Sequence, residues 1–149
     1  MYQLLIILHV LAVIVWLGGM FFAYFALRPA MSSQLQPPQR LPLWAETLTY
    51  FFRWVWLAIV VLWLSGFGLM AVLGAALPTY VHIMMTLAAL MTIIFILVFF
   101  IPFRLLKKRC LEHIWSEAAK SLNQIRIAVA TNLVLGGIII LTAAGKWPT

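Results

Sequence analysis

Carboxylates are nearly absent from this chain. Three acidic residues stand against ten Lys and Arg in 149 residues, and charged residues of both signs make up only 9%. Soluble domains carry about a quarter charged residues, so the composition lies outside the range of a water-borne globule. Cysteine is almost missing too: Cys110 stands alone, which excludes an internal disulfide and any cysteine-rich metal site. No acidic residue falls within an apolar run, and His113 lies in a polar stretch. A carboxylate-bridged di-metal centre and a closed four-ligand zinc site therefore lack ligands. The net charge of +7 would suggest nucleic acid in a soluble protein. Here the cations sit between apolar runs, the pattern of membrane topology, and no nucleic-acid partner is expected.

What the chain has in abundance is apolar length: 66% of its residues are hydrophobic, gathered in runs at about 3–27, 53–77, 79–101 and 124–145. Each run can cross a bilayer as a helix, which takes about 20 residues, and each is too long for a barrel strand. The expectation is an all-α integral membrane four-helix bundle, a single domain over 1–149, multi-pass in a bacterial inner membrane. The first run lacks a basic leader and exceeds the roughly 7–15 residues of a signal-peptide core, so it reads as a retained span.

Orientation follows from the cations. Arg28, Arg40, Arg53, Arg104, Lys107, Lys108, Arg109, Lys120 and Arg126 fall on the side of the first and third connections; only Lys146 falls on the other. The positive-inside rule then puts both long connections in the cytoplasm and both termini outside. The first connection holds Pro37, Pro38 and Pro42, and the second helix is predicted to begin near Leu43, with Trp44, Tyr50 and Trp54 at headgroup level. Pro78 opens the third helix and Pro102 marks its exit from the membrane, after which FRLLKKRCLEHIWSEAAKSLNQ has the spacing of a helical extension on the cytoplasmic side. Gly66, Gly68 and Gly74 read as packing positions, and Asn132 as a hydrogen-bonding tie between helices.

Two histidines lie inside the spans, and an ionisable group costs on the order of 2–3 kcal/mol there, so each invites a function. Counting 1.5 Å per residue, His9 lies roughly 9 Å and His82 roughly 5 Å below the extracytoplasmic surface. At nearly the same depth, two imidazoles on different helices could hold one centre between them. Haem b iron takes axial histidines; Cu(I) takes imidazole together with methionine sulfur, for which Met20, Met84 and Met85 are at hand. Hydrogen bonding across helices is the plain alternative. For a haem, Trp16, Tyr80 and Lys146 are candidates to line the ring or meet its propionates; for a metal, Met85 joins His9 and His82.

The segments LHVLAVIVWLGGMFFAYFALRPA and LNQIRIAVATNLVLGGIIILTAAG, with the short second connection and the histidine-bearing third helix, resemble small stand-alone members of the CopD copper-resistance membrane family. The resemblance implies a four-helix unit and a role in copper handling. The histidine positions on the first and third helices are also similar to those of the related bacterial membrane protoporphyrinogen oxidases, which implies haem b held by His9 and His82. The leading expectation is a bis-histidine haem b protein in one-electron transfer, with a membrane oxidoreductase activity left open. Copper binding or transport is the alternative, and a cofactor-free membrane subunit the second. Expected partners are the lipid bilayer, an unidentified redox partner or quinone, and a second copy of the chain, which the belt of Trp and Phe would suit.

Overall fold

The computed structural model describes residues 1–74 and 77–145. Four helices make up most of it: α1 (Tyr2–Gln34), α2 (Pro37–Leu73), α3 (Thr79–Leu111) and α4 (Trp115–Gly145). All four are long and apolar enough to cross a membrane, and large apolar side chains such as Phe21, Phe25, Leu64, Val134 and Leu141 point away from the bundle. An outward face of that kind suits hydrocarbon and not water. The chain is a multi-pass, all-helical membrane protein.

The helices overrun the apolar spans at the basic end. Instead of a long polar connection with a helix starting near Leu43, α1 continues helically through Arg28–Gln34, and α2 starts at Pro37. Leu35 and Gln36 alone separate the two. The prolines permit this because Pro37 and Pro38 fill the first helical positions, where an N–H has no partner to lose. In α3 the helix breaks at Ile101 (φ −110°, ψ −84°) and restarts at once over Pro102–Leu111. A turn through His113, at φ 57°, leads into α4.

At the other end α2 stops at Gly74, whose φ of +82° lies in the left-handed region that glycine enters without a Cβ penalty. No neighbour crowds it, so Gly74 ends a helix and does not pack one. Close packing falls instead to two glycines of other helices. A methyl group on Gly19 would overlap the Phe51 ring, and one on Gly136 would overlap the Leu17 side chain. Gly68 sits against Leu5, with 3.1 Å between that side chain and the position of a Cβ. Lipid supplies no hydrophobic drive between helices, so such close fits hold the bundle together.

The helices associate as two antiparallel hairpins, α1 along α2 and α3 along α4. Where the hairpins meet, Trp16, Phe52, Trp56, Phe95, Phe99 and Phe103 form an aromatic core, with ring centroids 4.8 Å apart for Phe52 and Phe103 and 5.2 Å for Trp56 and Phe95. Such pairs add about 0.5–1.5 kcal/mol each beyond burial. Hydrogen bonds tie the helices as well: Trp63 Nε1 donates to Thr92 Oγ1 at 3.2 Å, and buried Asn132 donates from Nδ2 to the Met91 carbonyl at 3.2 Å. Asn132 thus bridges α4 and α3. At the basic end Arg53 lies over Tyr50, Arg104 over Phe100 and Lys107 over Phe103. Tyr50 and Trp54 are exposed there, whereas Trp44, expected beside them, is buried in the bundle.

Candidate functional site

His9 is the one histidine among the described residues that lines the cleft between α1, α2 and α3. It lies on the α1 stripe of Tyr2, Ile6, His9 and Val13, and its ring rests against the bare Cα of Gly66 on α2. A Cβ there would sit 3.5 Å from the ring, an ordinary contact, so Gly66 gives the imidazole a flat seat without being sterically required.

The seat has a lock. His9 Nδ1 is 3.0 Å from Ser65 Oγ, and that hydroxyl is in turn 2.6 Å from the Val61 carbonyl and 3.1 Å from the Leu62 carbonyl. A hydroxyl has a single hydrogen, and one turn up its own helix the carbonyls already claim it. Ser65 therefore accepts and His9 Nδ1 donates; in a neutral ring this arrangement leaves the Nε2 lone pair free. Orientation by a supporting hydrogen bond on the far nitrogen is how metal-binding imidazoles are usually prepared.

The cavity, about 270 Å³, lies among α1, α2 and α3, with Ile139 contributed by α4. Besides His9, its soft donors are the thioethers of Met70, Met84 and Met85, and the tyrosines Tyr2 and Tyr80 stand at its rim. No Cys, Asp or Glu lines it. Among the described residues no three of His, Cys, Asp and Glu gather anywhere. One imidazole with methionine sulfur is a donor set for Cu(I), which favours soft ligands that harder divalent ions do not.

Of the residues singled out in the sequence, His9, Tyr80, Met84 and Met85 come together here. His82 does not line the cavity. Its ring is exposed, with Nδ1 3.3 Å from the Pro78 carbonyl of its own helix. The reason is angular: Val81, Met84, Met85 and Ala88 form the inward stripe of α3, and His82 stands one residue, about 100°, off it. Trp16, expected beside a cofactor, lies seven residues and roughly 10 Å deeper than His9 along α1. It is buried in the aromatic core, 6.3 Å from Phe95. Met20 lies deeper still and lines other hollows. Lys146 falls outside the described residues. Sequence reasoning passed over Ser65 and Met70; the signal was a lone hydroxyl inside an apolar run beside Gly66, with Met70 one turn further along.

A family model described as copper resistance protein D matches residues 45–146, a stretch that contains Ser65, Met70, Met84 and Met85 and begins after α1. No curated protein and no solved structure matches the chain. The match spans more than half of the sequence, and the chain belongs to the CopD, or copper resistance protein D, family.

Proposed function

We propose that this protein handles copper in a bacterial inner membrane, taking Cu(I) as cargo into the cavity lined by His9, Met70, Met84 and Met85. The observation that carries the reading is the His9 imidazole, its Nδ1 held at Ser65, lining one space with three methionines and no carboxylate. A soft monovalent ion loses little by leaving water for imidazole and sulfur, whereas a hard divalent ion would need oxygen donors the cavity lacks. Membership of a family described by copper resistance supports the same cargo. The nine-to-one split of cations puts the arginine end in the cytoplasm, so the copper cavity serves the extracytoplasmic half of the membrane.

The test is anaerobic Cu(I) titration of the detergent-solubilised protein against a chromogenic chelator, with an absorption spectrum of the same sample. The expected result is one Cu(I) per chain, lost in His9→Ala. Equal uptake by His9→Ala overturns the assignment. A Soret band without copper would replace it by the haem b reading, in one-electron transfer.

A further inference from the structure

A second cavity, of about 210 Å³, lies at the opposite end of the bundle among α1, α2 and α4. Three arginines line it, one from each of these helices: Arg28, Arg40 and Arg126. All three are half-buried. The Arg28 guanidinium lies 5.4 Å from the centre of the Tyr24 ring, and Ser32 and Asn123 add polar groups to the same wall.

No carboxylate lines this cavity. The chain has only three acidic side chains. Glu112 pairs with Arg109 at 3.1 Å and Glu117 with Lys120 at 2.8 Å. The hydrogen bond from Lys120 holds the Glu117 carboxyl below its ordinary pKa. Glu46 lines a different hollow, beside Arg53 and Lys107. Three like charges from three helices thus line one cavity, partly out of water, with no carboxylate among the described residues lining it. Bringing them together is unfavourable unless an anion completes the set.

The geometry of the walls says what kind of anion. A guanidinium presents a planar fork of donors that matches phosphate oxygens, so three of them suit a phosphate group better than a halide or a lone carboxylate. Beside the arginines the cavity turns apolar, lined by Met20, Leu41, Leu48, Phe51, Ile125 and Val129. A soluble phosphate leaves that apolar surface uncovered; an amphiphile covers both parts. Basic pockets between transmembrane helices on the cytoplasmic side are where anionic lipid head groups are held. We propose that this cavity seats the phosphate head of an anionic phospholipid, gripped by Arg28, Arg40 and Arg126, with the start of an acyl chain on the apolar floor.

The test uses the full-length chain, stripped of lipid in detergent and followed by native mass spectrometry and thermal unfolding. Phosphatidylglycerol, phosphatidylcholine and inorganic phosphate are added in separate arms. The expected result is retention of phosphatidylglycerol over phosphatidylcholine. Its affinity falls about fivefold per guanidinium removed, and on the order of a hundredfold in Arg28→Gln/Arg40→Gln/Arg126→Gln. The control, Arg104→Gln/Lys107→Gln/Lys108→Gln, removes the same charge from exposed positions at the same end and should leave retention intact. Equal loss in the control overturns the proposal, because diffuse attraction would then suffice. Thermal protection by inorganic phosphate with none from phosphatidylglycerol overturns the lipid assignment. Should the triple variant fail to fold, Arg40→Gln and Arg126→Gln are read singly, and undiminished lipid retention in both overturns the proposal as well.

Discussion

The two ends of this bundle solve opposite problems with the same four helices. Near the Gly74 turn, a cavity of about 270 Å³ has one imidazole, three thioethers and no charged side chain. Near the Leu35 turn, one of about 210 Å³ has three arginines. His9 and Arg28 lie nineteen residues apart on α1, a helix long and apolar enough to cross the hydrocarbon. The comparison teaches that nine of the ten Lys and Arg side chains gather at the end where water and headgroups can share their cost. The cavity at the other end is lined by soft, neutral donors, which cost little to bury.

The sharpest way to break this contrast is His9→Ala. Copper affinity should fall by more than about a hundredfold, beyond what loss of a supporting partner produces, while lipid retention at the arginine end stays as in the parent. Chelator competition and native mass spectrometry on the same preparation check both halves. Next comes Ser65→Ala, which removes the acceptor that fixes the His9 tautomer. A loss of about 10–100-fold in copper affinity with an unaltered circular dichroism spectrum is expected. Between the two ends, Gly19→Ala forces a methyl into the Phe51 ring and should destabilise the bundle by about 1–3 kcal/mol in a detergent unfolding titration. Asn132→Leu costs less, under about 1 kcal/mol, since it deletes one interhelical hydrogen bond and also a buried Oδ1 that has no partner. Smallest of all, His82→Ala should leave copper affinity unchanged, which separates one inward histidine from a facing pair.

Much of this architecture is written in apolar length. The four spans, the basic end and the role of Asn132 follow from run length, cation placement and one amide in an apolar helix. The overhangs at Arg28–Gln34 and 37–42 are harder to see, because polar and proline-containing stretches resemble loops until the prolines are found at helix starts. The site was half legible for a geometric reason. Counting residues gives depth, and by depth His9 and His82 are level. The angle around each helix axis is a separate coordinate, and it turns His82 outward while bringing in Met84 and Met85. Only packing fixes that angle, and with it the pairing of α1 with α2 that brings Ser65 under the imidazole.

The break at Ile101 carries a mechanical consequence. Proline has no N–H, so the ladder of α3 loses a rung at Pro102, while Ile101 bonds back to Leu97 at 3.0 Å and Leu105 bonds back to Ile101 at 3.1 Å. Each segment is stitched to its own side of the joint. A residue inserted or deleted below it re-phases the short basic helix and leaves the azimuth of Met84 and Met85 untouched, so the basic hairpin and the His9 cavity are free to vary separately.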